Sequence, residues 1–199
     1  MKTLILFAHP ALHKSRVNKH IIEGLPALEC VTFRDLYEEY PEFDIDVKCE
    51  QEMVEQHDII IFQFPLFWYS TPALLKEWQD LVLEHGWAFG SSGNALKDKL
   101  FMCSITAGGP RKAYTEKDFH QHTLNQLLSP LRQTATLCKM IPLPPFVVFG
   151  AHGIQLPDIT EHKSELLRLL ESFRTGSFDP DRALEHEYMN DYVAQLKKS

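Results

Sequence analysis

The sequence predicts an α/β fold in which one parallel sheet is covered by helices on both faces. Short apolar runs, each suited to a buried strand, alternate with segments of helical spacing along most of the 199 residues. Several of these runs are apolar almost throughout, as strands buried on both faces of a parallel sheet are. With 44% hydrophobic residues, the chain is long enough to bury a full core in one domain.

Residues 3–8 form an apolar run that predicts the first strand, and Pro10 ends it. Ser15 is a favoured N-cap residue, and the apolar spacing behind it predicts a first helix that Gly24 terminates. Residues 29–33 alternate apolar and polar side chains. This alternation predicts a short second strand nearer the edge of the sheet.

Residues 37–55 form a strongly acidic segment without metal-ligand spacing or a calcium-loop pattern. Charge runs of this kind are typical of solvated surfaces. We therefore expect a solvated connection followed by a surface helix. The acidic residues are Glu38, Glu39, Glu42, Asp44, Asp46, Glu50, Glu52 and Glu55.

The stretch 58–72 combines a buried strand, an aromatic loop and a helix start. Its apolar run ends at Pro65, which cannot donate to a sheet ladder, and Pro72 then opens a helix that continues to about Glu84. Between the two prolines the chain carries four large side chains, Leu66, Phe67, Trp68 and Tyr69. Loops are normally polar, so this loop predicts a ligand surface; on its own it is equally consistent with core or with a dimer surface.

The fourth predicted strand covers residues 99–106. The turn 107–110, which contains two glycines, ends this strand and lets backbone approach a ligand closely. Apolar spacing from Phe119 through Leu131 predicts a helix that Pro130 interrupts.

The last predicted strand covers residues 143–150, and a final regular helix opens near Leu156. We expect one domain over residues 1–175. The remainder, 176–199, is a polar tail with a short helix near residues 188–196.

Five strands separated by helices favour a three-layer, flavodoxin-like sheet of order 2-1-3-4-5, with helices on both faces. The switch point of this order lies between strands 1 and 3, at the carboxyl ends of the strands. The unusual loops follow strands 1, 3 and 4, at residues 9–18, 65–69 and 106–109. We therefore expect these three loops to meet in one crevice.

The three loops together suit a flavin nucleotide. Ser15, Asn18 and Arg16 offer a hydroxyl, an amide and a cation for a phosphate. The aromatic loop offers a flat apolar surface with backbone amides for a planar ring, and Gly108 and Gly109 allow close backbone contact. No G-x-G-x-x-G follows the first strand and no G-x-x-x-x-G-K-[ST] is present, which disfavours tightly bound NAD and an ATP P-loop.

Composition excludes several other classes. A net charge of -7 and a pI near 5.8 argue against a nucleic-acid partner. The four cysteines form no C-x-x-C, which fits reduced cytosolic thiols rather than a disulfide scaffold or zinc ribbon. We expect no metal site, since His120 and His122 lack a carboxylate or cysteine companion pattern. No basic amphipathic helix marks direct contact with a membrane.

Three phrases of the sequence resemble those of the flavodoxin-like NAD(P)H:quinone oxidoreductase family (Flavodoxin_2). They lie in residues 8–18, 62–78 and 104–109. Within this family, residues 67–83 with the following 86–90 are most similar to the ancillary flavoproteins of bacterial glutathione-gated potassium efflux systems. The similarity runs from the N-terminus to about Gly150.

The resemblance implies a flavodoxin-like flavin-binding domain that holds FMN and uses NAD(P)H as co-substrate. FAD is the alternative, which the absence of an alignable adenine-binding extension disfavours. The implied flavin contacts are His9, Ser15, Arg16, Val17, Asn18, Pro65, Leu66, Phe67, Trp68, Tyr69, Thr106, Ala107, Gly108 and Gly109. The positions that match the family's catalytic tyrosine and histidine are Tyr114 and His120, while Ala107 replaces a usual threonine.

The implied activity is two-electron hydride transfer from NAD(P)H through the flavin to a quinone or similar electrophile, by a ping-pong mechanism. The alternative is a regulatory ancillary subunit of a glutathione-gated potassium efflux transporter. We expect a cytoplasmic homodimer, either free or held at the inner membrane through a protein partner. The expected interface aromatics, which would wall the substrate slot, are Trp68, Tyr69, Trp87 and Phe89.

Overall fold

A computed structural model describes residues 1–196 of the chain. The strands are β1 (Thr3–Phe7), β2 (Val31–Asp35), β3 (Ile59–Pro65), β4 (Leu100–Thr106), β5 (Ile141–Pro142) and β6 (Phe146–Val148). All strand pairs are parallel, in the order β2-β1-β3-β4-β5, and β6 also pairs with β4. The predicted α/β class and strand order are confirmed.

Helices cover both faces of this sheet and give three layers. They are α1 (Arg16–Ile22), α2 (Leu36–Glu39), α3 (Val47–Glu55), α4 (Ala73–Val82), α5 (Leu124–Leu127), α6 (Ser129–Leu137), α7 (Leu156–Thr175), α8 (Pro180–Leu184) and α9 (Met189–Leu196). Apolar residues of α2 to α6 pack on one face of the sheet, and those of α1 and α7 to α9 pack on the other. Among residues 1–196, no helix has both the length and the apolar character required to cross a membrane.

The central strands explain the apolar runs of the sequence. Every residue of β1, β3 and β4 is buried. Successive side chains of a strand point to opposite faces, so Ile60 and Phe62 join one core cluster while Ile59 and Ile61 join the other. Because both faces of these strands are covered, both need apolar side chains, and the strands lack the alternation of apolar and polar residues that a solvated face produces.

The fifth strand position is divided into two short pieces rather than the single strand predicted over 143–150. The amide of Leu143 still donates to the carbonyl of Phe101, at 2.8 Å. Pro144 and Pro145 follow and have no amide hydrogen, so the ladder with β4 is interrupted between β5 and β6.

Two other boundaries differ from the predictions. The second strand begins at Val31 instead of residue 29, after Cys30 adopts a left-handed conformation with φ of 63°. Phe119 is not helical and is 81% exposed. The helix starts only at α5, where Thr123 and Gln126 form a capping box. Pro130 separates α5 from α6, as predicted.

The acidic segment is solvated except at one position. The predicted surface helix is α3, and most acidic side chains around it are exposed. Glu50 contradicts the prediction because its side chain is 0% exposed. It lies between Arg34, Tyr40 and Trp78, which supply hydrogen-bond donors inside the fold.

The C-terminal segment folds back onto the sheet. Five of its buried side chains join the core cluster shared with α1 and α7, and they are Phe178, Ala183, Met189, Tyr192 and Val193. The buried Tyr188 joins the cluster on the other face. The short helix predicted near residues 188–196 is α9. The domain boundary at residue 175 stays a prediction, and residues 197–199 of the predicted tail lie outside the described residues.

Candidate functional site

The structure brings the three unusual loops together at the carboxyl ends of β1, β3 and β4. They border a groove made of two adjoining cavities. The first, which we call the helix cavity because it lies at the start of α1, has a volume of about 520 Å³. The second, the aromatic cavity, has a volume of about 480 Å³. Leu66, Gly108 and His152 line both cavities, so the groove is continuous.

The predicted site residues line this groove, with one exception. In the helix cavity they are His9, Ser15, Arg16, Val17, Asn18, Pro65, Leu66, Phe67, Thr106 and Gly108. In the aromatic cavity they include Trp68, Tyr69, Gly109, Tyr114 and His120. The exception is Ala107, which is fully buried and exchanges backbone hydrogen bonds of 2.9 Å with Val148 and Ala151. Ala107 thus ties the turn to the neighbouring strand, while the roles of the other residues stay predictions.

Asn18 fixes the start of α1 against the end of β4. Its side-chain amide donates to the hydroxyl oxygens of Ser15 and Thr106, each at 3.1 Å. The hydroxyl of Ser15 also caps the helix by accepting the backbone amide of Asn18 at 3.2 Å. Three polar side chains from two loops are therefore held in one partly buried cluster beside the helix cavity.

His9 is a buried, neutral histidine at the end of β1. Its Nδ1 accepts the backbone amide of Ala11 at 3.1 Å, which leaves the proton on Nε2. Burial lowers the pKa of His9, so the imidazole is uncharged at neutral pH. Its ring packs edge-on against Phe67, with 5.6 Å between ring centroids. His9 can therefore offer an Nε2–H donor without adding charge.

The helix cavity has cations and no carboxylate. Lys14 and Arg16 line it, and the guanidinium of Arg16 also donates to the carbonyl oxygen of Ile154. Although the chain has 27 acidic residues, none of the described residues that line either cavity is Asp or Glu. The local charge thus favours an anionic ligand in spite of the acidic chain.

The aromatic loop holds its backbone in an unusual conformation. Trp68 and Tyr69 have φ values of 49° and 64°, in the left-handed region that side chains other than glycine rarely occupy. Trp68 is 93% exposed, so apolar burial does not stabilise this loop tip. Within residues 1–196, no hydrogen bond engages the backbone amide of Trp68 or Tyr69. Strain and unpaired donors together are typical of a ligand-binding loop.

The glycine turn after β4 has no room for side chains. A Cβ atom on Gly108 would lie 2.4 Å from Nε2 of His152. On Gly109 it would lie 3.1 Å from Nε2 of His120 and 3.3 Å from the ring of Tyr114. Backbone is therefore the surface that this turn presents between the two cavities.

Tyr114 and His120 form a stacked pair in the aromatic cavity. Their ring centroids are 4.2 Å apart and the rings are within 18° of parallel. The hydroxyl oxygen of Tyr114 accepts the amide of Gly109 at 3.4 Å, and burial raises the pKa of this phenol, so it stays protonated at neutral pH. Nδ1 of His120 is buried without a hydrogen-bond partner. Both side chains thus have proton-donor or acceptor capacity to offer a ligand.

The structure adds His152 and Phe119, which the sequence reading missed. His152 follows β6 and lines both cavities, and the exposed Phe119 lines the aromatic cavity. The signal for His152 was available, because the loop after the fifth strand also opens at the carboxyl edge of the sheet. Trp87 and Phe89 do not line either cavity; they pack on the core, and Nε1 of Trp87 donates to Glu55 at 2.7 Å.

Residues 1–196 contain no cluster of three or more His, Cys, Asp or Glu side chains arranged to hold a metal ion. His122 instead contacts the backbone carbonyl of His120 through Nδ1, at 3.1 Å.

Comparison with known proteins gives relatives over most of the chain. A glutathione-regulated potassium-efflux system ancillary protein, KefG, from Cronobacter sakazakii is 42% identical over 161 residues, which are 81% of this chain and 88% of that protein. The structure of general stress protein 14 from Treponema denticola, in complex with FMN, matches with 33% identity and a TM-score of 0.78, covering 86% of this chain and 99% of the other. An NADPH-quinone reductase from P. pentosaceus matches with 30% identity and a TM-score of 0.75, covering 82% and 94%.

The family itself is defined by a match over most of the chain. The family model Flavodoxin_2, described as a flavodoxin-like fold, matches residues 1–170. The predicted resemblance is confirmed by this match and by the relatives. From its sequence and its sheet order, the chain belongs to the Flavodoxin_2 family.

Proposed function

We propose that the protein is an FMN-dependent NAD(P)H:quinone oxidoreductase. The observation that carries the proposal is the continuous groove. One end has cations and the capped start of α1, and the other end has aromatic rings. This gradient matches a ligand that has a phosphate at one end and a planar ring at the other. The names of the FMN-bound and quinone-reductase relatives point to the same cofactor and reaction.

The residues present fit FMN on two structural grounds. At the phosphate end, Lys14 and Arg16 line a cavity free of carboxylates, and Ser15 and Asn18 are held there by mutual hydrogen bonds. At the ring end, the backbone amides of Trp68 and Tyr69 have no partner among the described residues, and the glycine turn exposes bare backbone. We assign the phosphate to His9 and residues 14–18, and the ring to residues 65–69, Thr106, Gly108 and Gly109.

When bound, FMN supplies a ring that accepts a hydride from NAD(P)H and passes it on to the quinone acceptor. Tyr114 and His120 place a phenol and an imidazole in the aromatic cavity. Because the phenol is protonated at neutral pH, it can donate a hydrogen bond where negative charge develops on a reduced quinone oxygen. We propose that NAD(P)H and the quinone use this cavity in turn, which makes the kinetics ping-pong.

A homodimer is part of the proposal. Trp68 and Phe119 are largely exposed beside the aromatic cavity, and such apolar surface is usually covered by a partner. Trp87 and Phe89 would have to reach the substrate slot from a second copy, because they do not line it in their own chain.

The second candidate role is that of an ancillary subunit of a potassium efflux transporter. It rests on the name of the KefG relative, whereas the reductase role also rests on the geometry of the groove. The reductase is therefore the function proposed, and binding to the cytoplasmic face of a potassium efflux transporter is compatible with it.

The test is to purify the protein, record its visible spectrum and identify any released cofactor by mass. Unloaded protein should take up FMN with a 1:1 endpoint, and anaerobic NADPH should bleach the bound flavin. Addition of a quinone should then restore the colour. Initial rates at several quinone concentrations should give the parallel double-reciprocal lines of a ping-pong mechanism. A colourless protein that does not bind added FMN would refute the proposal.

A further inference from the structure

We infer that residues 187–191, at the start of α9, are a brace that positions the loop carrying Tyr114 and His120. This inference rests on the proposed function, because it concerns the geometry of the proposed catalytic pair. The family match ends at residue 170, so the brace lies outside the matched part of the chain.

The loop between β4 and α5 has little structure of its own. Its regular part is a 3₁₀ turn at Arg111–Ala113, and the following residues to Thr123 form neither helix nor strand. Beyond the glycine turn, among residues 110–123, only Ala113 and Tyr114 are buried. Within the loop, the amide of His120 donates to the carbonyl of Ala113 at 3.1 Å. Hydrogen bonds inside the loop close its turns, but most of its side chains are exposed. Contacts from outside the loop are therefore what hold the two stacked rings in place against the rest of the fold.

Arg111 supplies that support from the C-terminal segment. Its two terminal nitrogens donate to the two carboxylate oxygens of Asp191, at 3.0 and 2.8 Å. Its guanidinium also lies over the ring of Tyr188, 4.5 Å from the centroid, and Glu187 is 3.7 Å away. A bidentate bond combined with stacking fixes the plane of the guanidinium as well as its position.

The brace is itself anchored to the edge of the sheet. The side-chain oxygen of Asn190 accepts the backbone amide of Val147 at 2.8 Å, and the amide of Met189 donates to Pro145 at 2.9 Å. Residues 187–191 are therefore attached by hydrogen bonds to β6 and the residue before it.

A second path connects the brace to the catalytic pair through aromatic packing. Tyr188 is buried and contacts Phe149 edge-on, with 5.4 Å between ring centroids. Phe149 in turn lies 5.9 Å from Tyr114, which stacks on His120. Arg111 and Tyr188 thus hold the loop from two sides, and Asp191 acts as a positioning residue that does not touch the groove.

The experiment compares Asp191→Ala and Asp191→Asn with a matched control in the FMN-loaded protein. The control is Glu171→Gln, because Glu171 makes an exposed two-point ion pair with Arg174 on α7 at 2.6 and 2.7 Å, far along the chain from the loop. We expect Asp191→Ala to lower kcat about 5- to 20-fold through misplacement of the pair, while FMN affinity changes less than about two-fold. Glu171→Gln should leave both values unchanged.

Hydrogen exchange separates positioning from general stability. Asp191→Ala should speed amide exchange in residues 111–121 by about ten-fold or more, while β3 and β4 keep their protection. The double variant Arg111→Asp with Asp191→Arg exchanges the two charges, and it should recover part of the kcat and part of the protection of the loop from exchange. Unchanged exchange in this loop in Asp191→Ala would overturn the inference. Faster exchange in Asp191→Ala with a normal kcat would also overturn it, provided that Tyr114→Phe lowers kcat. If the loop loosens but neither Tyr114→Phe nor Asp191→Ala slows turnover, the brace is supported and the catalytic role of Tyr114 fails.

Discussion

Two regions beside α4 differ in whether their polar groups have hydrogen-bond partners within the protein. Under the helix, the carboxylate of Glu50 is completely buried and every donor around it is used. Arg34 contributes Nε at 2.9 Å and Nη2 at 2.7 Å, Tyr40 its hydroxyl at 2.6 Å and Trp78 its indole nitrogen at 2.8 Å. At the start of the helix, the aromatic loop leaves amides unpaired and exposes its rings.

The difference separates structural groups from ligand-binding groups. A buried charge is tolerated when its hydrogen bonds are complete, and such a network then fixes how its elements pack. Here the Glu50 network joins β2, α3 and α4. The unpaired amides and exposed rings at the groove contribute little to the stability of the fold, and they gain protein-like partners only when a ligand binds.

The largest effect should come from removing Glu50. Glu50→Ala leaves Arg34 and the donors of Tyr40 and Trp78 without their buried acceptor. We expect the free energy of unfolding to fall by about 3 to 5 kcal/mol. Urea denaturation of the unloaded protein measures it.

The control for Glu50 lies on the same helix. Glu52→Ala makes the same chemical change at an exposed position of α3, and we expect a change below about 0.5 kcal/mol. Equal effects of the two substitutions would contradict a structural role for the network.

The next effect should appear in turnover and not in stability. His120→Ala removes the imidazole stacked on Tyr114, and we expect kcat to fall about 10- to 100-fold while the protein keeps its flavin. Stopped-flow kinetics should place the loss in the half-reaction with the quinone. The control His122→Ala removes a neighbouring exposed histidine that does not line the groove, and its kcat should stay normal. A colourless His120→Ala protein would mean that this residue holds the cofactor.

A smaller effect is expected at the exposed loop tip. Trp68→Ala removes ring surface beside the aromatic cavity, and we expect FMN to bind about 3- to 10-fold more weakly. Because Trp68 is almost fully exposed, the free energy of unfolding without FMN should change by less than about 0.5 kcal/mol. Fluorescence titration and urea denaturation check the two values. A large loss of stability without FMN would show that the loop is structural after all.

The same contrast explains how much of the molecule could be predicted from sequence. The strands and the three loops were readable because apolar runs, Pro65 and the glycines at 108 and 109 are local signals. The burial of Glu50 was not readable, since it depends on Arg34, Tyr40 and Trp78 converging from separate elements. The brace of Arg111 by Asp191 joins residues 80 positions apart, and no local pattern indicates it.

Asp35 provides the sharpest test, because it is a buried carboxylate that lacks the partners of Glu50. It caps α2 by accepting the amide of Tyr37 at 3.1 Å and is 8% exposed, and burial raises its pKa to about 6. The folded state therefore favours the protonated acid. This stabilisation is complete below the unfolded pKa of about 3.9 and is lost as the pH rises through 6.

Asp35→Asn keeps the acceptor for Tyr37 but cannot ionise. We expect it to exceed the wild type in free energy of unfolding by about 1 to 2 kcal/mol at pH 8, and by almost nothing at pH 4. Urea denaturation at both pH values measures the difference. Asp46→Asn is the matched control, because Asp46 caps α3 in the same way from an exposed position. An equal pH dependence in the two variants would show that burial of Asp35 has no energetic consequence.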